Sequence, residues 1–466
     1  MNKKPNANSP DPAQPNPPSR VIGLDSHPDS FTAAVVVGPT PAGAVVEQMF
    51  NKLPIARLQS WAKAHTRIQD QLVLEASGNS FEVVRSLQAI GRNAKVLESA
   101  HLGKLKEAHA NNDKISAVRI AKAYLAGTAK EVWVPDSKTQ ERRDWMHGHR
   151  KGVKRTTQLR NRIQSYLSDN GVRLDKPLAV ALEQGRLTKQ LKETGQLSAP
   201  QQLVLEIYES DLCQAQQQRG RWVSLMAQEV LTDPQMLSLV RLCGVRDIVA
   251  FSVMAIVGDI KRFATPKKLV KYVGLNPAFD DSGEEQWSGG IGGHGRKDLR
   301  GLLIESAQAI MRTKHPLGKW GRKLLGRTSS LNLAVAAVAR KLVVAIWYLL
   351  MGKWTTLEEI DQQLVVKISK ILLHVDDQVL QALGKERAQL RQGAYESLKQ
   401  GRIYTLDPSK RFTPLLAKTT PAASPKAQAA GASLTTVCPH CGKTTAGAKA
   451  GSGTKGRRQM KRVQGI

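Results

Sequence analysis

Asp25, Glu75 and Asp113 stand where carboxylates can do chemistry. Asp25 closes the apolar run VIGLD, Glu75 closes QLVLE, and Asp113 follows two asparagines at the start of a helical stretch. Short apolar runs of this kind suit buried strands. Where strand ends and a following helix converge, three carboxylates repel one another unless a cation binds between them. Mg²⁺ takes hard oxygen ligands and keeps several waters. At a phosphodiester it activates a nucleophile and stabilises the leaving oxygen. Each acid also has a plainer use: Asp113 as a helix N-cap, Glu75 as a solvated strand terminus, Asp25 as the cap of a turn.

A fold that gathers these acids is legible around them. Residues 20–38 read as strand, turn and strand, with a third strand at 44–49. Helical patterns at 58–65, 81–91 and 114–127 alternate with strands at 71–75 and 94–97. Hairpin strands first and alternating strands and helices afterwards predict a mixed α/β sheet of the RNase H-like class over residues 20–137. Residues 1–19 are rich in Pro and Asn and read as disordered. Residues 138–233 are polar and read as a helical, coiled-coil arm. One face of its first helix is Leu159, Ile163, Tyr166 and Leu167, and Leu203 and Ile207 repeat the spacing in a second. A mainly α-helical domain is expected over 234–354, a helical extension over 355–413 and a basic disordered tail over 414–466.

The chain carries 69 Lys and Arg against 39 Asp and Glu, a net charge of +30 in 466 residues. That surplus points to a polyanionic partner, most simply nucleic acid. Four cysteines are too few for a disulfide framework, which fits a reducing cytoplasm. The first twenty residues lack the apolar core of a signal peptide. The most apolar stretch, 333–351, is interrupted by Arg340 and Lys341, so no membrane span is expected.

A second constellation lies at 277–295, dense in Gly and Ser and read as a loop. By itself the Ser282-Gly283 pair is an ordinary turn signal. Gly289, Gly290, Gly292, Gly293 and Gly295 precede a helix starting near Lys297, where backbone amides with no side chain in the way can hold phosphate. Arg296, Lys297 and Arg300 would add phosphate contacts. Near the C-terminus, Cys438 and Cys441 have the knuckle spacing of a Zn²⁺ ribbon, yet a structural site needs four ligands and only His440 is close by. A site shared between subunits and a decayed ribbon both remain open.

Several segments, in order, resemble the DEDD transposases of the insertion-sequence-110 family. VIGLDSH resembles the family's first acidic motif, placing its acid at Asp25 and the following His at His27. LEASGNS resembles the Glu-Ala-Thr-Gly segment, at Glu75. NNDKISA resembles Asp-Arg-Ile-Asp-Ala, at Asp113, with Ser116 where the family has its fourth acid. Weaker metal binding, a water bridged from Ser116, or substitution by Glu107 could each answer that departure. Residues 274–300 resemble the Gly-Leu-x-Pro, Ser-Gly and Leu-Arg elements of the C-terminal transposase domain, placing the nucleophilic serine at Ser282. Ser288 is a rival, and His294 is the nearest imidazole in sequence. Residues 239–263 resemble a helix-hairpin-helix-like element with Gly244 at its turn, although Cys-Gly-Val-Arg stands where the family tends to Pro-Gly-Ile-Gly.

The resemblance implies a RuvC-like metal domain and an active site shared between domains and subunits. It also implies Mg²⁺-assisted cutting and religation of DNA by a serine, a bridge RNA as guide, and a homo-oligomer, dimer or tetramer, associated with a prokaryotic nucleoid. Two alternatives stand beside it. One is a Holliday-junction-type nuclease using only the acidic site, and the other is an inactive nucleic-acid-binding relic.

Overall fold

The computed structural model describes residues 20–99, 112–174, 178, 182, 187–282, 285–292, 294–353, 361–382, 384–400, 435–437 and 444–446. The chain divides into two compact units, Met1–Gln140 and Glu141–Ile466.

The first unit is a sheet with helices on both faces. Its elements run β1 (Arg20–Ser26), β2 (Ser30–Val37), β3 (Val45–Pro54), α1 (Leu58–His65), β4 (Gln71–Glu75), α2 (Ser80–Gln88), β5 (Asn93–Leu97), α3 (Asp113–Leu125) and β6 (Glu131–Val132). The strand order is β3-β2-β1-β4-β5-β6. β1 runs parallel to β4 and β4 to β5, and the other pairs are antiparallel. Strands buried on both sides read as continuous apolar runs, as Ala33–Val36 in β2 does. Ile22, Leu24, Leu72, Leu74 and Val96 pack on one face with α1 and α2. Val21, Val73 and Leu97 pack on the other with Ala117, Ile120 and Ala121 of α3. Gly23 lets α3 lie directly on β1: a Cβ there would sit 1.9 Å from the Ala117 carbonyl oxygen.

The second unit is mostly helical. α4 (Ser137–Asp169), whose first residues lie in the first unit, leads to α5 (Leu187–Glu193) and α6 (Ala199–Thr232). Met146 of α4 and Met226, Ala227, Val230 and Leu231 of α6 enter the main core. Farther out, Leu159, Ile163 and Leu167 pack with Leu187, Leu191, Leu205 and Leu212 in a small core of their own. The two long helices therefore form a hairpin, each about 50 Å long. At its root Arg142 is forked between Glu229 at 2.5 Å and Asp233 at 2.6 Å. One expectation fails here. Leu203 and Ile207 are more than half exposed, and the buried stripe of α6 is Leu205, Leu212 and Ala215. An isolated i, i+4 pair does not identify which side of a long helix meets a partner.

The main core gathers α7 (Pro234–Leu239), α8 (Asp247–Val257), α9 (Pro266–Val273), α10 (Lys297–Met311), α11 (Pro316–Thr328) and α12 (Leu331–Leu350). It also takes in α13 (Asp361–Leu372), α14 (Asp377–Ala382) and α15 (Arg387–Gln400). Among the described residues only α12 is long and apolar enough to cross a bilayer, and Ala334, Val338, Leu342 and Ile346 bury it in this core instead.

The stretch expected as a glycine-rich loop is instead a hairpin of β7 (Pro277–Ser282) and β8 (Glu285–Ile291). Glycine weakens a strand, but a paired partner strand overrides that cost. In the tail expected to be disordered, β9 (Thr435–Val437) pairs antiparallel with β10 (Thr444–Ala446). The β-branched residues Thr435, Thr436, Val437, Thr444 and Thr445 favour that pairing. Cys438 and Cys441 lie outside the described residues, as does Glu107.

Candidate active site: an acidic cluster and a serine hairpin

The register of the first unit accounts for the acidic cluster. Leu24 lies beside Leu74 in the parallel pair, so Asp25 and Glu75 follow at adjacent strand ends. Side chains alternate along a strand, which puts both acids on the face of Val21, Gly23 and Val73, beneath α3. Asp113 is the first residue of α3. The N-cap is Asn112, whose side-chain oxygen accepts the Ile115 amide at 2.9 Å. The capping role open to Asp113 in the sequence therefore belongs to its neighbour.

Ligand atoms of Asp25, His27 and Asp113 all lie within 4.8 Å of one another. His27 Nε2 is 3.5 Å from an Asp113 carboxylate oxygen. Glu75 ends its strand next to Asp25 but is not part of that tight group. Burial pushes the Asp25 carboxyl above its ordinary value and Asp113 adds to the push, while His27, a hydrogen bond from Ser116 and the charge of Arg119 act against it. Arg119 Nη2 donates to Ser116 Oγ at 3.3 Å. Where a fourth acid was sought, the chain has a buried hydroxyl backed by a guanidinium.

Sequence reasoning missed Arg119 and also Asn79. Asn79 Nδ2 donates to the His27 carbonyl at 2.7 Å, and its Oδ1 accepts from Ser26 Oγ at 3.1 Å. It ties the end of β1 to the start of α2 and so fixes the backbone on which Asp25 and His27 sit. The available signals were position alone: an Asn just before a helix, and an Arg one turn beyond Ser116.

In the second unit Ser282 is the last residue of β7, paired in register with Glu285, and Ser288 of β8 lies opposite Phe279. The base of this hairpin is built tightly. Gly274 has φ +81°, and a Cβ on it would lie 2.1 Å from the His294 carbonyl oxygen. Gly295, φ +86°, would place a Cβ 2.7 Å from Gly274. Arg300 Nη1 donates to the carbonyls of Gly274 at 3.0 Å, Gly292 at 3.3 Å and His294 at 2.7 Å. Arg296 pairs with Asp298 at 2.7 Å. Burial alone would lower Arg296, but Asp298 holds it above its ordinary value. Of the three cations expected to meet phosphate, Arg296 and Arg300 thus have protein partners, while Lys297 is exposed at the start of α10. Gly244 turns the chain between α7 and α8 at φ +77°, and a Cβ on it would lie 2.6 Å from Ile310 Cγ1.

Residues 238–320, which contain the serine hairpin, match the family described as Transposase IS116/IS110/IS902. The chain is 26% identical over 292 residues to the transposase for insertion sequence element IS1111A of Coxiella burnetii, spanning 60% of this chain and 77% of that protein. It is 24% identical over 286 residues to a probable family 20 transposase of Pseudomonas aeruginosa, spanning 60% and 83%. Over 268 residues it is 24% identical to the putative transposase y4qE of Sinorhizobium fredii, spanning 57% and 64%.

Proposed function

The chain belongs to the IS116/IS110/IS902 family of transposases, enzymes that cut and join DNA, and from that premise we propose that it moves an insertion sequence by serine attack on DNA assisted by Mg²⁺. The observation that carries the proposal is the gathering of Asp25, His27 and Asp113 at parallel strand ends, in a chain whose family-matched segment holds Ser282. The strand order β3-β2-β1-β4-β5, with the first three antiparallel and the next two parallel to β1, supports an RNase H-like, RuvC-like reading of the first unit. The α4–α6 hairpin supports the reading of a coiled-coil arm.

The donor set fits a hard divalent cation. Asp25 and Asp113 supply carboxylate oxygens within reach of one another, and Asp113 adds to the rise that burial gives the Asp25 carboxyl. These two would hold Mg²⁺, with Glu75 at the neighbouring strand end; bound there, it would stabilise charge on the reacting phosphate oxygens. With Ser116 and Arg119 in place of a fourth acid, the site suits one such ion rather than two.

The nucleophile in this reading is Ser282. Its Oγ gives up its proton and forms a bond to phosphorus, the bond from phosphorus to a deoxyribose oxygen breaks, and that oxygen takes up a proton in turn, so that no net proton is gained or lost. The phosphoserine ester keeps the bond energy until the hydroxyl of the exchanged strand attacks, releasing the serine. Guidance by a bridge RNA is supported by the net charge and by the exposed Arg150, Lys151, Lys154, Arg155, Arg160 and Arg162 of α4. A homo-oligomer would supply Ser282 and the acidic cluster in multiple copies.

The test is a covalent trap. Purified protein, its co-purifying RNA, element-end DNA and Mg²⁺ are expected to give a protein–DNA adduct that Ser282→Ala removes and Ser288→Ala keeps. Metal-dependent cutting that persists unchanged in Ser282→Ala would instead establish a nuclease working from the acidic cluster alone.

A further inference from the structure

We propose that the outer face of α11 is a docking surface for the phosphate backbone of duplex DNA, separate from the Ser282 hairpin and from the acidic cluster. No Asp or Glu occurs between Glu305 and Glu358, and α11 lies within that acid-free stretch. Lys319, Arg322, Lys323 and Arg327 fall at i, i+3, i+4 and i+8 on one side of the helix, and all are exposed. Arg312 and Lys314 continue the exposed row in the turn before it.

The opposite side fixes this row in place. Gly318 and Gly321 are buried against the rest of the core. A Cβ at 318 would lie 2.3 Å from the Ile310 carbonyl oxygen, and one at 321 would lie 2.7 Å from Val338 Cγ2. Arg322 secures the helix start by donating to the carbonyls of Met311 and Thr313. The other cations of the row make no ion pair among the described residues, in contrast to Arg142 and Arg296, which do. A rigid helix of 13 residues, about 20 Å long, therefore presents unneutralised cations in a line. Gly326 lies on the same side, and a Cβ on it would meet nothing within 4 Å, so a partner can approach the backbone there.

The side chains on this face decide the partner. Lysine and arginine without neighbouring acids fit phosphates, which position a nucleic acid without reading its sequence. Single strands and RNA loops are held by stacking on aromatic side chains. The aromatic of this helix, Trp320, is half-buried with Lys341 Nζ 4.7 Å over its ring. The face thus suits a duplex backbone, and an enzyme that cuts and joins DNA must hold DNA duplexes beside its reacting strands. The inference rests on DNA as substrate and not on the serine mechanism.

The experiment measures anisotropy of a labelled, non-cognate DNA duplex binding to the full chain over a salt series. Lys319→Ala/Lys323→Ala/Arg327→Ala should weaken binding at low salt. It should also reduce the slope of log Kd against log salt by about 2.7, three phosphate contacts at about 0.9 each. Lys323→Arg should leave both unchanged. The thermal midpoint of the triple variant should match that of the parent, because the changed residues are exposed. As a measurement that needs no variant, crosslinking the parent to duplex DNA should map to Lys319 and Lys323. An unchanged slope with no crosslink on α11 would overturn the proposal. So would a loss confined to an RNA duplex of the same length.

Discussion

Replacing Asp25 by Asn tests the electrostatic reading of the acidic cluster through stability and metal binding, with no activity readout. The Asn keeps the shape and can still accept the Ser116 hydroxyl, but removes the charge. At the 4.8 Å limit of the cluster, two carboxylates repel by about 3.5 kcal/mol at an effective dielectric of 20 and by about 1 kcal/mol at that of water. The Asp113 side chain is 30% exposed and His27 is 50% exposed, and His27 and Arg119 offset part of the repulsion, so the lower figure is the better guide. The metal-free variant should therefore be about 1 kcal/mol more stable at neutral pH, a rise of a few degrees in the melting midpoint. Because folding raises the Asp25 carboxyl above its ordinary 3.8, the wild-type protein loses stability as pH climbs from 3.8 through the raised value. The advantage of the Asn should be absent below pH 3.8, grow across that window and stay level above it. Mg²⁺ should then raise the wild-type midpoint by an amount set by RT ln(1 + [Mg²⁺]/Kd) and leave the variant's unmoved. Calorimetry in EDTA and in Mg²⁺ across pH reads all three. A variant less stable in EDTA at every pH, and still shifted by Mg²⁺, would refute the reasoning.

Two further outcomes follow from packing and from a buried pair. Gly23→Ala puts a Cβ 1.9 Å from the Ala117 carbonyl, so α3 must lift from β1. The cost is expected at about 1–3 kcal/mol or more in urea unfolding of the first unit, with loss of the Mg²⁺ shift because α3 carries Asp113. At the start of α8, burial alone would raise the Asp247 carboxyl, but a 2.5 Å hydrogen bond with His374 and the charges of His374 and Arg246 hold it below its ordinary value. That pair contributes stability above pH 3.8 which is lost as pH falls through the depressed value. His374→Ala should destabilise the protein by about 1–3 kcal/mol at neutral pH and flatten the acid limb of its stability curve. An acid limb of unchanged slope would show that the pair does not govern it.

What could be read from the sequence was whatever local pattern fixes. The runs VIGLD and QLVLE gave strands because their apolar residues are buried on both faces, and the ends of those strands carry the acids. Asn112 rather than Asp113 as N-cap was not decidable, since either residue type caps well and only the hydrogen bond to Ile115 separates them. Leu203 and Ile207 misled because the partner helix chose another stripe of α6. The role of Arg300 was invisible for a different reason. Its three carbonyl partners come from Gly274, Gly292 and His294, and those meet only when the chain reverses through the hairpin. A basic residue after a glycine-rich stretch reads equally well as a phosphate ligand.

Ser116 shows how a departure from a family pattern can be consistent with chemistry instead of a mark of decay. Removing an acid from a metal site usually leaves a gap in charge and in hydrogen bonding. Here the hydroxyl of Ser116 bonds to Asp25, and Arg119 donates to the same hydroxyl, so the serine itself is held on both sides. Asp25, Glu75 and Asp113 bring carboxylates to this end of the sheet, and His27 and Arg119 offset part of their charge at Asp25, so in the proposed reading a single divalent cation would meet the remainder. A nuclease that must activate water and stabilise a leaving oxygen with metal ions draws on two of them. An enzyme whose nucleophile is a serine carries its attacking oxygen on the chain and needs less. The same substitution that would weaken a two-ion nuclease is therefore compatible with a transposase that relies on Ser282, and a metal-binding stoichiometry of one per chain is the form that compatibility would take.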